Sequence, residues 1–337
     1  MDLATSRTVS FLLQAPEQEA AAELEDVLKK MSPFKYILLI ILFYFFASSE
    51  AISKPLYPPA DDQATSLRKE AVYAGYAAGI AAGYTGLYHL WYRQNGLGRF
   101  SFKNDNRHWL QMDKAGHFVT ASQLGEYGIN LLRWAGVDDK TAILQGGASG
   151  LLFLTGIEIF DGFATGYGFS WGDQLANVLG AAFVTGQELM WREQRFRLKF
   201  SYLPSPYADY RPELLGKNLI QSWLKDYNGQ TYWLSFSPGS FGNKSSFPEW
   251  LCFSFGYSAG GMTGAHTNPE FNKAGEPIPD FTRYRQYFFS MDIDLTRIHS
   301  ESRFLRTVFT TFGFIKIPFS VMEYNKLDGV KFRPVYF

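Results

Sequence analysis

Three short polar pairs stand where apolar segments of the chain begin or end. Asp113 and His117 are four residues apart, Glu158 and Asp161 three apart, and Asp173 and Asn177 four apart. At those spacings each pair projects from one face of a helix. Lys114 adjoins Asp113, whereas Glu126 falls on the opposite face and is set aside. An imidazole held by a carboxylate is an oriented general base, because a bond at one ring nitrogen fixes the tautomer. The pattern therefore gives His117 an acid–base or ligand role, with Asp113 orienting it. Glu158, Asp161 and Asp173 supply negative charge. Lys114 can neutralise that charge or meet an anionic lipid or glycan group. Several carboxylates with one imidazole and one amide can also hold a hard or borderline divalent metal. With few imidazoles and no thiolate, zinc is not favoured, and the metal is left open.

Each pair also has a structural reading. Asp113 can cap a helix N-terminus. Ser170-Trp171-Gly172-Asp173 has the form of a capping box. Glu158 and Asp161 can point to water, with Gly162 ending the helix. Capping does not account for His117 or Asn177, which lie a turn inside apolar helices. The functional set is therefore His117, Asp113, Glu158, Asp161 and Asp173, with Lys114, Ser170 and Asn177 binding a ligand.

Four segments must position these residues. Ala71–Tyr92 lacks any charged side chain, and Gly75, Gly79 and Gly83 recur every four residues. Such a bare stripe lets another helix approach closely. Helices follow over about Asp113–Trp134, Asp138–Phe160 and Trp171–Phe196, the second with Gly146 and Gly150 again four apart. Their apolar stretches are shorter than ideal for full membrane spans. After Pro204, Pro212–Tyr227 reads as one amphipathic helix ending before the turn Asn228-Gly229. Arg285–Arg297 alternates with period two, which predicts a half-buried strand. Trp250–Tyr257, Arg306–Ser320 and Val330–Phe337 are weaker strand candidates. Gly256–Gly264 reads as a turning connector and lacks the context of a phosphate loop. About five strands are too few for an outer-membrane barrel, despite the terminal Phe337. The fold class is mainly α: a bundle of about four Gly/Ala/aromatic-rich helices with a C-terminal β-containing extension.

The N-terminal region predicts export. Lys29, Lys30 and Lys35 precede the apolar run Tyr36–Phe46, and small residues follow at Ser49 and Ala51. These are the three parts of a secretory signal. The organisation expected is 1–30 as a mis-assigned extension, 31–51 as signal peptide and 52–68 as linker. A helical domain over 69–203 follows, and then an amphipathic helix with strands over 204–337. The single cysteine, Cys252, excludes an intramolecular disulfide, and no cysteine follows the apolar run for lipid attachment. Lys plus Arg and Asp plus Glu balance at 32 each, so no basic excess points to nucleic acid. The aromatic content suits a water–lipid boundary, and a membrane is the expected partner.

The segments D-K-A-G-H-F at 113–118, G-I-E-I-F-D at 156–161 and F-S-W-G-D-Q-L-A-N-V-L-G at 169–180 carry a resemblance. They look like the YfiM-like family of bacterial periplasmic lipoproteins of unknown function. The order Asp-Lys-x-x-His, Glu, Ser-x-x-Asp-x-x-x-Asn is also similar to VanZ-like membrane proteins. The resemblance covers about residues 105–190. It implies a periplasmic or outer-membrane location and a shared polar site, but no reaction. The reading is a cell-envelope protein whose polar pocket binds or acts on an envelope lipid or glycan. The alternative is a non-catalytic structural or assembly protein whose strands dock on a protein partner. A transporter component is less favoured, since no inverted repeat is visible.

Overall fold

Glycines decide how closely the helices pack. The computed structural model describes residues 62–93, 96–241 and 247–337. The chain divides into two units, Met1–Ser53 and Lys54–Phe337, and the described residues all lie in the second. The extension, the signal peptide and most of the linker expected from sequence lie outside them. Helix α1 spans Asp62–Leu87 and ends in a wide turn, Tyr88–Tyr92. Helix α2 is Met112–Trp134, α3 is Asp139–Phe163 with one wide turn at Ala142–Gly146, and α4 is Trp171–Trp191. A Cβ on Gly150 of α3 would lie 2.1 Å from the Ala121 carbonyl oxygen of α2. One on Gly128 of α2 would lie 2.4 Å from the Gly146 oxygen, and one on Gly180 of α4 2.3 Å from the Phe118 oxygen. Only glycine fits at such backbone contacts. The α2–α3–α4 trio is thus drawn tight around Ile129, Ile143 and Val184. Among the described residues, α3 is long and apolar enough to cross a membrane, and 44% of its most apolar window is buried inside the molecule.

The stripe on α1 behaves differently. A Cβ on Gly75 or Gly79 would meet nothing within 4 Å, and one on Gly83 would meet only the Phe153 ring. Helix α1 is held instead by Val72 against Leu132, Ala135 and Ala142, and by Tyr84 stacked on Phe153.

The chain departs from the expected elements in three places. Helix α4 stops at Trp191, where Arg192 takes a left-handed φ of 60°. The charged tail then becomes strand β1, Phe196–Tyr202. Gly216, at φ 111°, splits the expected amphipathic helix into α5 (Pro212–Leu215) and α6 (Leu219–Lys225). The expected strand at Arg306–Ser320 begins in helix α7, Arg303–Phe312, capped by Ser302 Oγ, which accepts a bond from the Leu305 N–H.

The sheet is larger than expected. It runs β1, β2 (Gln230–Phe236), β3 (Leu251–Gly260), β4 (Tyr284–Ile293), β5 (Phe319–Asn325) and β6 (Gly329–Tyr336), each antiparallel to the next in chain order. The glycine-rich stretch at 256–264 is therefore strand as far as Gly260, and the turn comes at Gly261 with φ 74°. The molecule has a helical N-terminal region and a substantial antiparallel sheet, so "mainly α" understates its β content. The sheet also turns its polar face inward. Ser235, Ser254, Ser258, Ser290 and Asp292 are buried, as are Lys199 and Lys316. Lys199 Nζ lies 2.7 Å from Asp292 Oδ2, and Ser235 Oγ donates to that oxygen at 3.1 Å. Lys316 Nζ donates to the Met291 and Ile317 carbonyls, each at 2.9 Å. Paired in this way, the buried polar groups avoid the cost of an unmet hydrogen bond. The ring of Tyr336 stacks on Phe288 across this interior.

Candidate functional site

The glycine contacts that draw α2, α3 and α4 together bring their polar ends to one place. Asp113, Lys114 and His117 occupy the first turns of α2. Glu158 and Asp161 end α3, and Asp173 and Asn177 lie in the first turns of α4. The entry to α2 is set by unusual backbone. Trp109, Leu110 and Gln111 have φ of 48°, 51° and 67°, a left-handed run that non-glycine residues resist. It is held by the Trp109 N–H donating to the Ala265 carbonyl at 2.7 Å and by Gln111 Nε2 donating to the Asn106 carbonyl at 2.6 Å. Helix α2 therefore starts abruptly, with Met112 and Asp113 already buried.

Two sub-clusters result. In the first, Lys114 Nζ sits among three aspartates, 2.6 Å from Asp105, 2.9 Å from Asp113 and 3.2 Å from Asp173. Ser170 caps α4 by accepting the Asp173 N–H at 3.1 Å, and it donates its hydroxyl to Asp105 at 2.6 Å. Burial opposes charge on Lys114, but the aspartates outweigh it and hold the ammonium above its ordinary range. Burial also raises Asp105, yet Lys114 and Ser170 bring it below the usual carboxylate value. This half is an ion-paired helix junction.

The second sub-cluster is His117, Glu158 and Asp173. His117 Nδ1 lies 3.0 Å from Asn177 Oδ1. An amide oxygen only accepts, so Nδ1–H donates to it and Nε2 is left turned toward Glu158. Nε2 lies 3.6 Å from Glu158 Oε1. The other Glu158 oxygen accepts the Ser170 N–H at 3.0 Å. Glu158 Oε1 and Asp173 Oδ1 are buried and accept no hydrogen bond. Lys114 is equally close to both Asp173 oxygens, but its direction suits only Oδ2. One ligand atom from each of His117, Glu158 and Asp173 lies within 4.8 Å of the others, and the same holds for Asp105, Asp113 and Asp173. In the second set Lys114 already stands as the counter-charge. In the first, Lys114 reaches the set only at Asp173, and among the described residues no Lys or Arg is paired with Glu158.

The electrostatics follow from burial. Desolvation, then the charge of Asp173, pushes Glu158 up to about 9. Desolvation raises Asp161 to about 7, although the Tyr92 hydroxyl donates to it at 2.7 Å and works the other way. Desolvation, then Asp173, raises Asp113 to about 6. The end of α3 adds negative dipole at Glu158 and Asp161. Five carboxyl groups thus confront one ammonium and one imidazole. Such an excess holds protons or attracts a cation.

All eight residues singled out in the sequence come to this region, but not all in the expected roles. Asn177, not Asp113, orients His117; Asp113 is bonded to Lys114 through both its oxygens. Asp105 and Tyr92 were not singled out. Asp105 lies in a loop, where no periodicity points to it, and Tyr92 belongs to an aromatic-rich segment that offers many such rings. Glu126 points away and pairs with Arg197. The site opens on a cavity of about 980 Å³. It is lined by His117, Glu158, Asp161 and Asp173, by the apolar Leu124, Leu154 and Trp223, and by Arg211, Lys217 and Lys273.

Residues 101–186 match the sequence model of a family described as predicted periplasmic lipoproteins (DUF2279). The matched span contains α2, α3, most of α4 and every site residue except Tyr92. No curated protein and no solved structure matches the chain. The family is one of exported envelope proteins of unknown function, and the protein is accordingly periplasmic or associated with the outer membrane. The family description names a lipoprotein; Cys252 of this chain is buried in β3.

Proposed function

We propose that this envelope protein binds a divalent cation through His117 Nε2, Glu158 Oε1 and Asp173 Oδ1, and through that cation an anionic group of an envelope lipid or glycan. The observation that carries the reading is the convergence of His117, Glu158 and Asp173, whose ligand atoms lie within 4.8 Å of one another, with Glu158 Oε1 buried and accepting no hydrogen bond. Buried polar atoms are almost always satisfied, and such an oxygen beside a second carboxylate and an imidazole is what a cation would satisfy. One nitrogen and two carboxylate oxygens suit Mn²⁺, Fe²⁺ or Zn²⁺, and three protein ligands leave positions open for a substrate oxygen. Arg211, Lys217 and Lys273 around the cavity favour an anion, and Leu124, Leu154 and Trp223 give an apolar tail or sugar face a wall. The similarity of the 113–118, 156–161 and 169–180 segments to YfiM-like and VanZ-like proteins agrees with an envelope setting. Asp161, raised to about 7 beside this centre, has the proton affinity that acid–base chemistry at neutral pH requires. The Lys114 cluster favours a structural role for Asp105 and Asp113.

The test is calorimetric titration of the full chain with Mn²⁺, and of His117→Ala and Asp173→Asn. Saturable binding by wild type, lost in both variants, supports the reading. Absence of binding, or affinity unchanged in both variants, removes it.

A further inference from the structure

The sheet is inverted relative to a water-soluble one. Strands in water hide apolar side chains and expose polar ones. Here the inward positions hold the Lys199–Asp292 pair and a set of serines around a small apolar cluster of Trp233, Phe288 and Val321, and the outward positions are apolar. The strand registers align the outward residues in rows. One row runs Phe255, Phe289, Met322 and Phe332 across β3 to β6. These side chains are 53%, 42%, 48% and 63% exposed. In the next row Tyr287 and Tyr324 are 49% and 52% exposed, while Tyr257 packs beside Trp109 and Leu110 and donates its hydroxyl to the Leu110 carbonyl. Beyond the tyrosines comes the exposed Lys326 after β5, while Arg285 on β4 is half-buried and donates to Gln111 Oε1 and the Tyr257 hydroxyl. Within the two rows no Asp, Glu, Lys or Arg faces outward.

We propose that this outer face of β3–β6 is seated against the hydrocarbon of a lipid bilayer, with the tyrosine row at the headgroup boundary. The order apolar, tyrosine, basic along the strand direction is the order of environments met on leaving a bilayer: hydrocarbon, interface, anionic headgroups. From Ile293 to Tyr287 the strand rises about 20 Å at about 3.4 Å per residue, comparable with the apolar band of about 25 Å on membrane-embedded sheets. From β1 to β5 the backbone meets the same solvent rule, and β6 is the edge of the sheet. Strands β2 to β5 are paired on both sides, and Phe200 of β1 bonds Phe314 and Lys316 through its N–H and C=O. A protein partner would need an apolar face but not this layering. Lipid is therefore the occupant, and a second copy of the chain is the alternative that the experiment must separate. The inference rests on the sheet alone and stands or falls apart from the cation site.

The experiment uses the unmodified full chain in phosphatidylethanolamine–phosphatidylglycerol vesicles with a trace of lipid carrying a photoactivatable diazirine deep in its acyl chain. After illumination, adducts are mapped by peptide mass spectrometry. Adducts are expected in 251–260, 284–293 and 319–325, concentrated at Phe255, Phe289 and Met322. A sheet free of adducts, with labelling confined to residues outside it, overturns the proposal. So does protection of the sheet that coincides with cross-linking between copies at Phe289→Cys, which would make the face a contact between chains. As an independent check, Phe289→Arg with Met322→Arg should cut labelling of β4 and β5 by about thirtyfold, the ratio implied by the lower cost of a basic residue at the middle of a lipid-facing strand. Unchanged labelling in that variant also overturns the proposal.

Discussion

Replacing Glu158 by glutamine separates a cation ligand from a merely structural carboxyl. In the folded chain this group holds its proton up to about pH 9, because burial and then the charge of Asp173 oppose its ionisation; the ordinary value is 4.5. The folded state therefore binds a proton that the unfolded chain releases. The associated stability is full below about pH 4.5 and falls as the pH rises towards 9. At pH 7 the loss has reached about 3 kcal/mol, at about 1.36 kcal/mol per pH unit. Glutamine has the shape of the neutral acid, keeps an acceptor for the Ser170 N–H, and does not titrate. In EDTA at pH 7, Glu158→Gln should thus be more stable than wild type by about 3 kcal/mol, and near wild type at pH 4.5. Urea unfolding at both pH values measures this. With free Mn²⁺ at a hundred times its Kd, wild type should gain about 2.7 kcal/mol, and the variant nothing. A variant less stable than wild type in EDTA at pH 7, or one that keeps the Mn²⁺ gain, would refute the reasoning.

The same proton makes cation binding pH-dependent. The apparent Mn²⁺ affinity of wild type should rise about tenfold per pH unit from 7 to 9, as one proton leaves Glu158 per ion bound; an affinity independent of pH in calorimetry excludes Glu158 as a ligand. Asn177→Leu removes the acceptor that orients His117, and should weaken Mn²⁺ binding about 10- to 100-fold with little change in fold by circular dichroism. Lys114→Met strips Asp105, Asp113 and Asp173 of their counter-charge and should cost about 3–5 kcal/mol in urea unfolding, and a cost below about 1 kcal/mol would mean the cluster is not a junction. Gly150→Ala drives a methyl to 2.1 Å from the Ala121 oxygen and should destabilise by about 2 kcal/mol or more, while the same change at Gly75, which meets nothing, should cost nothing measurable.

The helical half of the molecule was legible because its side chains obey a local rule. Asp113 and His117, Glu158 and Asp161, and Asp173 and Asn177 share faces by helical spacing alone, and Gly146 and Gly150 announce a close helix contact that the structure contains. What spacing cannot give is the partner across the contact. Asp113 and His117 share a face, yet the acceptor that reaches Nδ1 comes from α4, and Lys114 draws Asp113 away. The left-handed run Trp109–Gln111 has no local signature either: its residues are ordinary, and only the Ala265 and Asn106 contacts hold them there. The Gly75–Gly79 stripe misled for the converse reason, since a small-residue face permits an approach without supplying a helix to make it.

The sheet shows where a pattern can be read while its meaning is reversed. The alternation around Arg285–Arg297 identifies a strand with two unlike faces, as β4 is. The usual inference from alternation is that apolar residues face the core, because the solvent is taken to be water. In β4 the core receives Gln286, Phe288, Ser290 and Asp292, and Tyr287 and Phe289 face out. This arrangement can be stable only if each inward polar group has a partner, and the neighbouring strands supply them: Glu323 for Gln286, the Ser320 carbonyl for Ser290, Lys199 for Asp292. Those partners lie between 30 and 93 residues away in sequence, beyond the reach of any periodicity. Strand β1, which begins where the expected helix Trp171–Phe196 ends, is hidden for the same reason. Arg197 and Lys199 look like a solvated charged end until Glu126, Asp294 and Asp292 stand opposite them. The missing information was the identity of the solvent on each side of the sheet, which a local pattern of polar and apolar residues does not encode. The acyl-chain labelling of Phe255, Phe289 and Met322 reads that identity directly.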